Sequence, residues 1–405
     1  MDIILYEDQQ IPSLFPITMT RPGYDVRTGG YTLLEAVKLT FPKASIFSYT
    51  RKLVHDISLV PEFSHEAKQS GGFLFLNARL APSLKTLDDV SAILRRANED
   101  CTFLVNGSVA GFFVGTLTEK MKDFTSYVST HEAGAVRHDL SAVLFKNPEE
   151  VIFFNRDFLG ENLTLAAKNL RSKKRGLYAG KDVVFPKEFS YDVTKGPIVI
   201  GDHVVIHPFT VLKGPLFIGQ SSIIKEFSVI SGSTIGPVCK VGGEVEDTVI
   251  DGYSNKQHTG GVENSYIGRW VNIGGGTFFS DLKNTYSTIT IDGRDSGAQF
   301  LGAIMGDFSK TSINTSIFPG KLIGVAAHLY GTVTEDVPAF TSHVRPGVMY
   351  ELPVGLAEKG QKAMAMRRGV PFTEQDTARM VHVFDKTAAE REAKNVSKEK
   401  ISFIQ

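Results

Sequence analysis

Cysteine, tryptophan, net charge and long apolar runs are all scarce in this 405-residue chain. Its two cysteines, Cys101 and Cys239, fall in different halves and have no metal-ligand spacing. They read as reduced thiols, which speaks against a disulfide framework or a zinc-finger set. Lys plus Arg and Asp plus Glu number 44 each, a formal charge of zero. That excludes the broad basic field that draws in nucleic acid, and the acidic excess of a disordered chain. Small anionic substrates stay open, because they need only a few local cations. No apolar run reaches the roughly 18 residues of a membrane span. The N-terminus, Met1 to Gln10, lacks the basic and apolar regions of a signal peptide. A cytoplasmic protein with neither nucleic-acid nor membrane partners is expected.

What is present is a repeat. Ile200, Ile206, Leu212, Ile218, Ile224 and Ile230 recur at a six-residue period, which slips by one at Ile235 and resumes at Val241. It returns at Ile267 and Ile273, and again at Ile317, Ile323 and Leu329, often with glycine next, as at Gly201, Gly219 and Gly274. This period is neither that of a strand face nor that of a helix stripe. It belongs to a hexapeptide β-helix, in which each aliphatic residue points inward and stacks on its equivalent in the next coil. An all-β, left-handed parallel β-helix is predicted over 198–345. Two stretches, Val245 to Tyr266 and Phe278 to Phe300, break the period and are expected as loops leaving the coil, where binding residues often sit. Beyond, 346–405 is a helical tail. Thr373, Glu374 and Asp376 mark a helix start, and a helix here would cap the open end of the coil.

Residues 1–165 alternate short apolar runs (Ile3 to Tyr6, Ser45 to Tyr49, Phe73 to Leu76, Phe103 to Val105) with helical patterns such as Leu87 to Arg96. That predicts a Rossmann-like α/β domain with a largely parallel sheet. Ligands in such sheets sit beyond the carboxyl ends of the strands. Arg21, Arg27, Asn77, Arg79 and Asn106 are therefore the candidates for nucleotide or sugar phosphate, since the guanidinium fork suits phosphate oxygens. Solvated or salt-bridged arginines are the plain alternative. Thr164 to Lys174 reads as a helix running into a basic linker, so that 166–197 joins the halves.

Longer strings narrow this. Leu14 to Pro22 (LFPITMTRP) with Arg27, Gly30 and Thr32, Gly252 to His258 (GYSNKQH), Trp270 to Thr277 (WVNIGGGT), Asp281 to Tyr286 (DLKNTY) and Gly306 to Thr311 (GDFSKT) resemble the GlmU-type bifunctional enzymes, in a shorter bacterial form. The resemblance implies a nucleotidyltransferase-like domain fused to a β-helix acetyltransferase. It further implies a product like UDP-N-acetylglucosamine and a homotrimer binding acetyl-CoA between neighbouring β-helices. Nucleotidyl transfer from a nucleoside triphosphate would use Mg2+. The chain departs from the longer form in one respect: Glu7 to Ser13 contains no glycine, so Arg21 and Arg27 would have to replace a backbone phosphate cradle.

Joining an amine to a thioester requires a base, and a neutral imidazole suits the task. His258, beside Lys256 and several amides, matches the family's catalytic histidine. His203, His207, His328, His343 and His382 read as structural or surface residues. Lys256 and Lys283 are candidates for the substrate phosphate, Asn272 and Asn284 for sugar hydroxyls or an oxyanion, and Tyr286 for phosphate or sugar. Lys310 and the small residues around Ala326 are assigned to acyl-CoA. Asn272 has a structural alternative, an internal amide ladder. Three rival functions stay open: a three-histidine zinc enzyme on the same scaffold, a non-catalytic regulatory subunit, and a chain with only one of the two activities.

Overall fold

The computed structural model describes residues 1–55, 59–63, 72–96, 99–116, 136–168, 170 and 172–401. The N-terminal runs form β1 (Asp2–Tyr6), β2 (Ser45–Tyr49), β3 (Phe73–Asn77), β4 (Cys101–Val105), β5 (Ser108–Val114) and β6 (Val136–Asp139), in the spatial order β2-β1-β3-β5-β4-β6. The sheet is parallel except for β5, which lies antiparallel to both β3 and β4. Asn106 and Gly107, both at positive φ, make the two-residue turn that reverses β4 into β5. Helices Leu33–Thr40 and Leu84–Leu94 are capped by Thr32 and Ser83 and pack on the apolar sheet residues.

The second half is a parallel β-helix whose inward stack is the hexapeptide series. Ile200 pairs with Ile218, Ile218 with Ile235, Ile235 with Ile250, Ile250 with Ile267, Ile267 with Met305 and Met305 with Ile323. All are buried in one apolar column. The slip at Ile235 is a coil one residue shorter than its predecessor. At about 25 cal/mol per Å2, this aliphatic column is the main force holding the coils together.

Three expectations need correction. Val245 to Tyr266 does not leave the coil: Glu244–Glu246, Val249–Ile250, Asn255–Lys256, Gly261–Glu263 and Tyr266–Ile267 pair in register with their neighbours. Lys256 occupies an inward position that aliphatic residues hold elsewhere, and this hides the period. The segment read as a linker also builds coil. Its helix runs Glu150–Ala167 and stops; Ser172–Lys174 then turns at Gly176 (φ +71°), and Leu177–Ala179 lies under Ile198–Ile200. Finally, the open end is closed by the hairpin Thr341–Arg345 and Val348–Glu351, not by a helix. Helices Val354–Met366 and Glu374–Lys386 lie along the flank, where Ala357, Met380 and Val383 cover Phe308, Ala326 and Phe340. The helix start expected at Thr373 is present, and Thr373 and Asp376 form a capping box there. The second interruption is a true excursion, with a hairpin Thr290–Ile291/Arg294–Asp295. It docks on the N-terminal domain, Arg294 pairing with Glu149 at 2.9 Å.

The halves are joined by a buried ionic network. Arg21 pairs with both Asp251 and Asp307 of the β-helix. Thr20 donates to Asp307 (2.5 Å), Arg269 reaches back to Asp25 (2.6 Å) and to Asp251 (3.3 Å), and Arg27 pairs with Glu35 (2.5 Å) and lies 3.8 Å from Asp251. Burial works against the Asp251 carboxylate, but Arg269, Arg21 and Arg27 together hold its pKa well below the usual carboxylate range. Gly29 and Gly30, at positive φ, complete the seam: Gly30 N–H donates to Thr234, and a side chain on Gly29 would strike Phe154 at 2.7 Å. Asp251→Ala should leave Arg21, Arg27 and Arg269 each short of a partner and cost about 3–5 kcal/mol, read as a lowered denaturation midpoint in urea; an unchanged midpoint would remove the network from the account of stability.

Candidate functional site

Two places concentrate polar chemistry: the carboxyl edge of the N-terminal sheet, and the corner of the β-helix that carries His258.

At the sheet edge, Asp8 follows β1 and Asn77 ends β3. Arg79 grips Asp8 through Nη2 (2.5 Å) and Nε (2.9 Å) and donates to the Phe145 carbonyl, while Asn77 donates to Asp8 at 2.8 Å. Burial pushes the Asp8 carboxyl up, but the Arg79 and Asn77 hydrogen bonds and the Arg79 charge outweigh it, leaving Asp8 below its ordinary value. Glu7, also after β1, is held by Arg51 at 2.5 Å and by the Gly23 N–H at 2.9 Å. The structure thus brings Asn77 and Arg79 together at the expected edge, with Asn106 exposed on the same edge. Arg21 and Arg27 lie elsewhere. Both are turned into the interdomain network with their charges already paired, so they are unsuited to replace a phosphate cradle. The sequence signal for this was the set of opposite charges in the second half, Asp251, Arg269 and Asp307, which only the fold brings within reach. Glu7 and Asp8 are both engaged by arginines, and no cluster of three or more metal-ligating side chains exists among the described residues. This donor set does not fit a protein-held Mg2+ beside β1.

At the coil corner, Lys256 points inward and is buried. Its ammonium donates to three carbonyls: Gly242 (2.6 Å), His258 (3.0 Å) and Gly260 (2.6 Å). Burial lowers its pKa to about 8. With every donor engaged inside the coil, Lys256 cannot also bind a substrate phosphate. Its work is local: it ties the His258 and Gly260 carbonyls to Gly242 of the preceding coil, while the imidazole of His258 stands exposed on the outside. Gly275 is the stacked neighbour in the next coil, where a Cβ would lie 3.4 Å from the Cβ of His258. The missing side chain leaves open space beside the ring.

Asn272 and Lys310 are brought together on the adjoining face. Asn255 bridges to Asn272, and Asn272 to Lys310. The Asn255 amide donates to the Asn272 Oδ1 at 3.3 Å; this is one amide pair on the outer surface, not the internal ladder that was the structural alternative for Asn272. Burial pulls the Lys310 amine to about 8; burial and then Lys310 pull neighbouring His328 to about 4. Ala326 is a buried corner residue (φ +55°) under the C-terminal helices, so it is closed to a pantetheine arm. Lys283, Asn284 and Tyr286 lie in the excursion at the opposite edge of the strand Gly261–Glu263 from His258. Lys283 donates to the Thr288 carbonyl (2.7 Å), and Asn284 and Tyr286 are exposed. Within one chain they do not join the His258 corner. His203 and His207 pair with Asp182 (3.5 Å) and Glu226 (2.8 Å) on the surface.

Residues 3–170 match the sugar nucleotidyl transferase family. The match ends just after the helix Glu150–Ala167. A bifunctional sugar-1-phosphate nucleotidylyltransferase/acetyltransferase of Sulfurisphaera tokodaii is 34% identical over 100 residues, 23% of this chain and 25% of that protein. The chain therefore spans about a quarter of the length of the curated relative it matches. Among solved structures, the UDP-N-acetylglucosamine acyltransferase of Francisella novicida is 15% identical, covering 55% of this chain and 84% of that one, with a TM-score of 0.29. The Arabidopsis enzyme of the same name is 16% identical over 57% and 83%, with a TM-score of 0.26. At such scores these likenesses carry no argument, and the β-helix stands on the coil pairing described above. No helix of the described residues is long and apolar enough to cross a membrane.

Lys256→Met should keep the volume of the inward position but leave the Gly242 and His258 carbonyls without this donor, while Gly260 keeps the Glu244 N–H. A loss of about 2–3 kcal/mol is expected, measured by urea denaturation; a variant as stable as the parent would show that the ammonium does not hold this corner.

Proposed function

We propose that the chain is a bifunctional cytoplasmic transferase of sugar-nucleotide synthesis. Its β-helix moves an acetyl group from acetyl-CoA to the amine of an amino-sugar 1-phosphate, with glucosamine 1-phosphate the expected acceptor. Its N-terminal domain moves a nucleotidyl group from a nucleoside triphosphate to the sugar phosphate, giving a product like UDP-N-acetylglucosamine. The observation that carries the acyl half is the station of His258: a rigid backbone, an open imidazole and an empty glycine position beside it. In the reaction the acceptor nitrogen attacks the thioester carbonyl, the C–S bond breaks, and the proton lost by the amine passes to the imidazole. The match over residues 3–170 supports the nucleotidyl half.

A homotrimer belongs to this reading. Along the corner that carries His258, Phe209 and Phe227 stack at 5.2 Å in earlier coils and remain 56% and 70% exposed, and Ile313 in a later coil is 70% exposed. A second copy packed on that corner would bury them and could bring its own groups toward the imidazole, supplying what Lys283, Asn284 and Tyr286 do not supply within one chain.

A narrower reading, acetyl transfer alone, is favoured by one observation: Arg21, Arg27, Glu7 and Asp8 are all engaged in protein ion pairs. Pyrophosphate release with UTP or another nucleotide decides between the two. For the acyl half, His258→Ala should lower thiol release from acetyl-CoA in the presence of glucosamine 1-phosphate by about 10²-fold or more, with little change in stability because the ring is exposed. An unchanged rate would remove His258 from the mechanism.

A further inference from the structure

One cleft gathers positive charge that no carboxylate among the described residues pairs with. The outward positions Lys240, Asn255, Asn272, Lys310 and His328 follow one another up a single face of the β-helix. The helix Val354–Met366 and the two arginines after it run over that face. Between them lies a cleft of about 250 Å3, lined among others by Lys240, Asn255, Asn272, Lys310, Arg367 and Arg368. Every charged residue lining it is a cation. Burial, and then Arg368 and Arg367, push the Lys240 amine below its ordinary value; burial lowers Arg368 as well. Among the described residues, the Lys310 ammonium donates to one acceptor, the Phe308 carbonyl at 3.0 Å. Gly360 passes directly above, its missing Cβ 4.0 Å from that amine. Arg368 donates to the Asn255 Oδ1, which turns the Asn255 amide toward Asn272 and holds both amides in place.

Four cations around a small, partly desolvated space repel one another, and an anion that enters relieves all four at once. Two guanidinium forks with two point-charge amines match the oxygens of a phosphate group better than a single carboxylate, which offers one negative charge and two oxygens. The volume falls below the roughly 300–1,000 Å3 of pockets that enclose a whole drug-sized ligand, so the cleft takes one end of a ligand. We propose that this cleft is a phosphate-binding site, holding a dianionic phosphate between Lys240, Lys310, Arg367 and Arg368. Gln257, which also lines it, is the neighbour of His258, so a phosphate anchored here places the rest of its molecule at the His258 corner. The identity of that molecule rests on the acyl-transfer reading: the phosphate belongs either to the amino-sugar acceptor or to the 3′-phosphate of the acyl donor. Binding of phosphate itself does not rest on that reading.

Calorimetric titration of the full chain tests it, with inorganic phosphate, coenzyme A, 3′-dephospho-coenzyme A, glucosamine 1-phosphate and glucosamine as probes. The variants are Arg367→Ala/Arg368→Ala, on the rim of the cleft, and Lys240→Gln, each checked for a parental melting temperature. Inorganic phosphate should bind the parent and weaken by about tenfold or more in folded variants. Coenzyme A binding better than its dephospho form only in the parent assigns the site to the donor. The same pattern for glucosamine 1-phosphate over glucosamine assigns it to the acceptor. No phosphate binding, or binding that folded variants retain in full, overturns the proposal. Cation-dependent phosphate binding without acetyl transfer keeps the site and discards the acyl reading.

Discussion

Arg21 between Asp251 and Asp307 is the interaction on which the rest of this molecule depends. A guanidinium taken out of water costs several kcal/mol unless good acceptors meet it, and here the acceptors come from the other half of the chain. Removing either side leaves a buried charge, so neither domain presents a finished surface alone. The geometry that follows is fixed. The helix Glu150–Ala167 lies on the first β-helix face through Leu159, Leu163 and Val199. The excursion after Phe279 packs Ile289 and Ile291 against Ile11 and Leu14. The sheet edge at Asp8 and the corner at His258 are thus parts of one body, held by charges neither site uses.

The same constraint changes the meaning of the N-terminal motif. Arg21 and Arg27 look from their residue type like side-chain ligands for a phosphate, and Gly29 and Gly30 follow close behind them. In the folded chain the cations are neutralised by carboxylates, and the glycines let the backbone pass close to Phe154 and Thr234. A seam and an anion site call for the same residues, and only the partner decides which is built. Lys256 repeats the lesson within the β-helix: a lysine beside the candidate base looks like a substrate contact, yet its ammonium is enclosed by two carbonyls of its own coil and one of the coil before. By contrast, Lys240, Arg367 and Arg368 look unremarkable in the sequence and meet around a cleft whose charged lining, among the described residues, is all cationic.

Which parts were legible follows from the range of the forces involved. The aliphatic column and its one-residue slip, the helix start at Thr373, and the alternation of the N-terminal domain are local or periodic, and were readable directly. The coil through Val245 to Tyr266 was hidden because the rule for an inward position, an apolar side chain, is met at Lys256 by hydrogen bonding instead. The capping hairpin after Thr341 was missed because the tail's helical pattern is strong and says nothing about where the helices lie. Asn77 and Arg79 were placed at the correct edge because strand ends are predictable from strand limits.

The sequence by itself determined the architecture, since a six-residue aliphatic period admits one kind of coil and alternating apolar runs and helices admit one class of sheet. It also singled out His258, because that histidine stands beside a lysine and several amides where the period breaks, and matches the catalytic histidine of the family the chain resembles. Only the tertiary structure decided which cations are paired and which are open. Pairing depends on residues more than two hundred positions apart (Arg21 with Asp251, Arg269 with Asp25), and no local pattern encodes such distances.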